Sequence, residues 1–203
     1  MLCGIDEAGR GPLAGPVTAA AVILPAAFDT SILKDSKKLT VKKREEARKI
    51  IYRDALFWSI GWASNQEIDT VNILQATFIA MQRAYSGVYG QLLRFFESRQ
   101  VSFEAPDVIV DGNVVPPITD CRSIKAVVKA DDSVYEVMAA SILAKTARDK
   151  MMNRYSWFYP EYGYDIHKGY CTKKHIEAIK KFGYSPIARK SFKIKGISKN
   201  LSF

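Results

Sequence analysis

The sequence predicts an α/β fold, a mixed sheet with helices on its faces. Short apolar runs that read as buried strands interleave with longer segments of helical spacing. Several of those runs stop at a carboxylate, as they do in sheets whose strand ends build a site. The composition, 48% hydrophobic and 25% charged over 203 residues, suits one compact core, and 12 glycines and 8 prolines exclude collagen-like or disordered chains.

Residues 2–6 and 17–24 read as short buried strands joined by a Gly/Pro-rich turn over 9–16. Thr40 is expected to open a charged helix over 41–55, where Lys42, Lys43, Arg44, Arg48 and Lys49 stand beside Glu45 and Glu46. Residues 56–63 give another strand. Leu74, Phe78, Met81, Tyr85 and Leu92 give 72–96 helical spacing, which Gly87 and Gly90 are expected to split. A Val-Ile-Val strand over 107–111 ends in Asp111 and Gly112, and a further strand covers 124–128. Ser133 and Glu136 have capping-box spacing, so a long helix is expected over 134–155.

The charge is unevenly placed. From His167 onward ten Lys and Arg stand against one acidic residue, Glu177, so the net +9 of the chain lies in this C-terminal segment. That asymmetry points to a polyanionic partner, because basic side chains gain from counterion release on a phosphate backbone. No apolar span approaches the ~20 residues needed to cross a bilayer. A signal peptide is not expected either, since Asp6, Glu7 and Arg10 fall where its apolar stretch would be. Cys3, Cys121 and Cys171 are odd in number and widely separated, which fits a reduced, cytoplasmic compartment. His167, Cys171 and His175 repeat every four residues but offer three ligands only, with Gly169 interrupting the helix that would align them, so zinc is not expected.

The chemistry lies in the acidic residues. Asp6 and Glu7 follow the first strand, Asp111 ends a later one, and Asp131 and Asp132 precede the long helix. Asp131 or Asp132 could simply cap that helix, and Asp111 could be a turn residue. The adjacent pair is harder to explain that way, because one of two neighbours on a strand normally faces inward, and a buried, unpaired carboxylate is costly. Clustered carboxylates repel unless protonated or bound to cations, and Mg2+ takes such hard oxygen ligands. Two such ions can serve phosphodiester hydrolysis. Gly9-x-Gly11 could instead open a dinucleotide-binding turn, but Asp6 and Glu7 sit where a pyrophosphate would arrive, and Pro12 and Pro16 disturb the receiving helix.

DEAGRGPLAGPV at 6–17 resembles the signature of ribonuclease HII. The likeness continues in order through DSKKL at 35–39, NILQAT at 72–77, VDG at 110–112, AASILAKTARD at 139–149, YPEYGY at 159–164, HKGY at 167–170 and KSF at 190–192. It implies a ribonuclease H-like fold in which Asp6, Glu7, Asp111 and Asp131 hold two Mg2+ or Mn2+ ions. Asp131 rather than Asp132 matches the family carboxylate ten residues before the serine of the Ala-Ala-Ser-Ile run, here Ser141. Gly9, Arg10 and Gly11 match the segment that contacts the ribonucleotide 2′-hydroxyl, and Tyr170 the tyrosine that stacks on the next sugar. A glycine turn can test for a 2′-hydroxyl, because glycine lets peptide groups come close. Lys37, Lys38 and the tail lysines are expected on phosphates. Ala130 and Cys171 depart from the residues usual at those positions.

The implied protein is a monomeric endoribonuclease acting on RNA/DNA hybrids and on duplex DNA with embedded ribonucleotides. It is expected as one catalytic domain over 1–203, with a core over 1–166 and a basic, helical segment over 167–203. The terminal Asn200-Leu201-Ser202-Phe203 faintly resembles sliding-clamp peptides, which would make a clamp a further partner.

Overall fold

The apolar runs pair into one sheet of β1 (Leu2–Ala8), β2 (Val17–Ile23), β3 (Phe57–Ala63), β4 (Asp107–Asp111) and β5 (Ser123–Val127), ordered β3-β2-β1-β4-β5, in the computed structural model, which describes residues 1–33 and 39–193. Strands β1, β2 and β3 pair antiparallel, whereas β4 pairs parallel with both β1 and β5. The sheet is therefore mixed, with β1 at its centre.

Alternation along the strands sorts the core into two layers. Cys3 and Ile5 of β1, Val17, Ala19, Ala21 and Ile23 of β2, and Val108 and Val110 of β4 pack against α3 (Ile73–Glu97). Ala20 and Val22 turn to the other face, toward α4 (Tyr135–Phe158) and α1 (Val41–Asp54). Thr40 caps α1 as expected, its hydroxyl accepting from the Lys43 N–H at 3.3 Å. A short helix, α2 (Asn65–Val71), precedes α3 and carries a capping box of Ser64 and Glu67. No helix among the described residues is long and apolar enough to cross a membrane.

Two expectations fail for reasons of packing. Helix α3 runs unbroken through Gly87 and Gly90. A Cβ on Gly87 would lie 2.1 Å from Ser59 Oγ of β3, so this glycine admits the strand rather than ending the helix. Ser133 and Glu136 form no capping box, because α4 has Val134 at its N-cap with no side-chain hydrogen bond. Backbone bonds replace it: Ala130 O accepts from Ser133 N at 3.0 Å and from Val134 N at 2.8 Å. The first turn of α4 also presses on β1, where a Cβ on Gly4 would lie 2.2 Å from the Glu136 carbonyl carbon.

Beyond α4, α5 (Tyr164–His167) and α6 (Lys173–Phe182) pack through Tyr162, Tyr164 and Ala178 around Met152 and Ala14. The C-terminal segment thus seats directly on the turn over 9–16.

Candidate active site

The register of β1 and β4 decides what meets at the sheet's end. Cys3 pairs with Val108 and Ile5 with Val110, so the next residues, Asp6 and Asp111, fall side by side. Asp111 ends β4, whereas Asp6 and Glu7 lie within β1, which runs on to Ala8 rather than stopping before them. Ile5 and Val110 both face α3, hence Asp6 and Asp111 both face α4. Glu7, one residue on, leans the other way and reaches the same rim from the α3 side. Asp131 sits in a 3-10 turn, Ala130–Asp132, between β5 and α4. It is buried, whereas Asp132 is exposed.

Asp6, Glu7, Asp111 and Asp131 line one cavity of about 410 Å3. Gly9 and Tyr170 line it too, as do three residues that sequence reasoning missed: Arg44 of α1, and Ser141 and Lys145 of α4. Ser141 and Lys145 are four apart on one helical face, the signal that could have found them. Asp111 Oδ1 accepts from the Ala130 N–H at 2.8 Å, tying the end of β4 to the turn that carries Asp131.

The pocket is electrostatically strained toward cations. Burial, then the charges of Glu7 and Asp111, push the Asp6 carboxyl well above its ordinary range, and Ser141 only partly offsets this. Burial also raises Glu7, opposed by Arg10, whose Nη1 lies 3.4 Å from Glu7 Oε1. Among the described residues no three His, Cys, Asp or Glu side chains already stand in ligand geometry, so the carboxylates share a cavity rather than a closed cage. The donor set nevertheless fits hard divalent cations, being all carboxylate oxygen, with a buried Asp6 whose repulsion from its neighbours a cation would relieve.

The glycine turn and Tyr170 stand together beside this pocket. A Cβ on Gly11 would lie 3.9 Å from the Tyr170 ring. Arg10, Gly11 and Tyr170 are exposed, and Gly9 is buried. His167 and His175 stack at 4.5 Å and bond to backbone, His167 Nε2 with Tyr162 O at 2.7 Å and His175 Nδ1 with Tyr170 O at 3.0 Å. They brace the loop that presents Tyr170. Lys37, Lys38 and residues 200–203 lie outside the described residues.

A model of the ribonuclease HII family matches residues 3–195. The chain belongs to the ribonuclease HII family. A ribonuclease HII of Treponema denticola is 72% identical over 198 residues, covering 97% of this chain and 100% of the relative. One of Neisseria meningitidis serogroup C is 44% identical, covering 95% and 92%. Among solved structures, ribonuclease HII of Archaeoglobus fulgidus in its PCNA complex matches with a TM-score of 0.70 at 25% identity, over 93% of this chain and 92% of that one. Bst-RNase HIII in complex with Mn2+ matches with a TM-score of 0.72 at 17% identity, covering 90% of this chain and 62% of that chain, which speaks for the ribonuclease H-like fold alone. The molecule is accordingly an enzyme of the ribonuclease H type, and in this member of the family the four carboxylates and Gly9 of the glycine turn border a single cleft.

Proposed function

We propose that the enzyme hydrolyses the RNA strand of RNA/DNA hybrids and incises duplex DNA on the 5′ side of a single embedded ribonucleotide, leaving a 3′-hydroxyl and a 5′-phosphate. The observation that carries this reading is the β1–β4 register, which sets Asp6 beside Asp111 in a cavity shared with Glu7, Asp131 and Tyr170. Asp6 and Asp111 are the central pair for two divalent ions, with Glu7 and Asp131 completing the donor set. Bound there, Mg2+ or Mn2+ would supply Lewis acidity to the scissile phosphodiester and ease deprotonation of the attacking water.

The chain's own residues do the rest. Arg44 and Lys145 bring positive charge to the rim of the cavity, where a phosphate would sit. Gly9, Arg10 and Gly11 offer peptide groups to a 2′-hydroxyl, which is both donor and acceptor. Tyr170, beside Gly11, provides a flat face for the following sugar. Lys173, Lys174, Lys180 and Lys181 of α6 extend the basic surface, and Lys37 and Lys38 are proposed to join it. The enzyme is taken to work as a monomer in the cytoplasm, with 1–203 acting as one catalytic domain. A clamp partner for residues 200–203 draws support from the relative solved with PCNA.

A labelled DNA duplex carrying one ribonucleotide, incubated with the protein and Mg2+, tests the reading. One nick immediately 5′ of the ribonucleotide, bearing a 3′-hydroxyl, is expected. A cut on its 3′ side would overturn the assigned position, and a product ending in a 2′,3′-cyclic phosphate would show that the 2′-hydroxyl is the nucleophile and overturn the hydrolytic step.

A further inference from the structure

Two arginines lie buried behind the glycine turn, and neither forms an ion pair among the described residues. Burying a guanidinium without a counter-charge is costly, so its place calls for a role that a neutral side chain could not fill. Both give their donors to backbone carbonyls instead. Arg189 Nη2 donates to Gly9 O at 2.6 Å and Pro16 O at 3.1 Å, Nη1 to Arg10 O at 2.8 Å, and Nε to Gly15 O at 2.9 Å. Arg148 Nε donates to Pro16 O at 3.0 Å and Nη2 to Ala14 O at 3.1 Å.

These bonds leave a specific remainder. The Leu13 carbonyl is taken by the Arg189 N–H at 2.8 Å, and the Leu13 and Gly15 N–H groups donate to Gly169 O and Ile187 O at 2.8 and 2.9 Å. Pro12 and Pro16 have no N–H. Arg10 and Gly11 are exposed residues, and their N–H groups donate to no acceptor among the described residues. The carbonyls of Gly9, Arg10, Leu13, Ala14, Gly15 and Pro16 are thus taken from within, while the exposed residues Arg10 and Gly11 keep their N–H groups uncommitted among the described residues. Glycine at position 9 is part of this arrangement, since a Cβ there would lie 2.0 Å from Arg148 Nε.

Arg148 reaches a second element. Its Nη1 donates to Lys168 O at 3.0 Å, two residues before Tyr170, and its guanidinium lies 5.9 Å from the Tyr170 ring centre. One side chain therefore touches both the glycine turn and the segment carrying the exposed tyrosine.

We propose that Arg148 and Arg189 are positioning residues for sugar recognition: they hold the turn's carbonyls inward so that the Arg10 and Gly11 N–H groups meet the substrate, and Arg148 sets the spacing from those groups to Tyr170. This rests on the reading above that the turn and Tyr170 contact the sugars.

The test is a ratio of affinities in an Asp6→Asn background, which prevents turnover. Two duplexes of one sequence are compared, one with a single ribonucleotide and one all DNA. Arg148→Lys and Arg189→Lys keep the charge but lose the fork, and each should lower the ribonucleotide preference by roughly tenfold, the scale of one lost hydrogen-bonded group. Affinity for all-DNA duplex should stay within about twofold, because phosphate contacts are untouched. A preference unchanged in both folded variants overturns the proposal. If Asp6→Asn with both arginines intact shows no preference at all, the sugar-contact reading itself fails, and the proposal with it. Should a lysine variant not fold, 15N spectra of the Asp6→Asn protein decide the matter. The Arg10 and Gly11 amides should shift with the ribonucleotide duplex and not with all-DNA duplex, while the Arg148 and Arg189 Nε–H signals stay protected from exchange; amides that respond alike to both duplexes, or exposed Nε–H signals, overturn it.

Discussion

Gly4 and Glu136 meet backbone to backbone: a methyl group on Gly4 would fall 2.2 Å from the Glu136 carbonyl carbon and 2.3 Å from the Val137 nitrogen. The contact sets how deeply α4 settles on β1, and two residues further along the same strand face stands Asp6. Gly4→Ala must therefore push the helix outward, at about 1–3 kcal/mol for overpacking. Urea unfolding should show that loss, and cleavage at saturating Mg2+ should fall with it, since Ser141 and Lys145 ride on the displaced helix.

Divalent cations should stabilise the folded protein independently of any substrate. A ligand at about a hundred times its dissociation constant adds about 2.7 kcal/mol through mass action. Thermal unfolding with Mg2+ or Mn2+ should show a higher midpoint than with a chelator. Asp6→Asn should abolish most of that shift and lower cleavage by more than about a hundredfold, beyond what loss of a group that merely orients a ligand costs. Without divalent ions the same variant should melt no lower than the parent, because it removes one of several repelling carboxylates. A midpoint indifferent to metal in the parent would contradict the assignment of these residues as ligands.

Acid should loosen the C-terminal segment. Burial lowers His175 from its ordinary 6.5 to about 4, and lowers its stacking partner His167 as well. The folded state therefore prefers neutral imidazole, while the unfolded chain takes up protons below pH 6.5. The stability this gives is fully present above pH 6.5 and is lost as the pH falls toward 4. Unfolding free energies measured across that window should drop more steeply for the parent than for His175→Gln. Equal slopes would mean that the ring titrates freely.

Gly87→Ala sets two effects against each other. In an open helix interior alanine would gain about 1 kcal/mol over glycine. Here its Cβ would lie 2.1 Å from Ser59 Oγ and 2.7 Å from Ser59 Cβ, and the second clash survives any rotation of the hydroxyl. The clash should win, so the variant should unfold earlier in denaturant, and Gly87→Ala combined with Ser59→Gly should recover what was lost. A single variant more stable than the parent would return Gly87 to the role of helix weak point.

Legibility in the sequence followed how local the cause was. The strand over 107–111 stands where its Val-Ile-Val run and flanking carboxylates place it, because a buried strand declares itself within a few residues. The spacing Ser-x-x-Glu, by contrast, occurs twice with opposite outcomes. Ser64 has the extended backbone an N-cap requires, φ −70° and ψ 166°, and its box with Glu67 forms. Ser133, at φ −132° and ψ −22°, is already held in the 3-10 turn built on Ala130, so its hydroxyl cannot reach the helix. Nothing within four residues separates the two.

The candidate site divides in the same way. Carboxylates at strand ends could be named one by one, and family resemblance grouped them. The side-by-side placing of Asp6 and Asp111 needed the parallel register of strands a hundred residues apart in the chain. The arginines behind the glycine turn were hidden for the same reason, since their partners are carbonyls, which every residue has.

The bonds from Arg189 to the turn span 173 to 180 positions of the chain. Asp6, Glu7, Asp111 and Asp131 all lie before position 132. A polypeptide still emerging from the ribosome would possess all four carboxylates long before the arginine that braces the turn. The shape of the turn is thus a late-arriving property of the chain, and a product ended before position 189 would carry the acidic cluster without its brace.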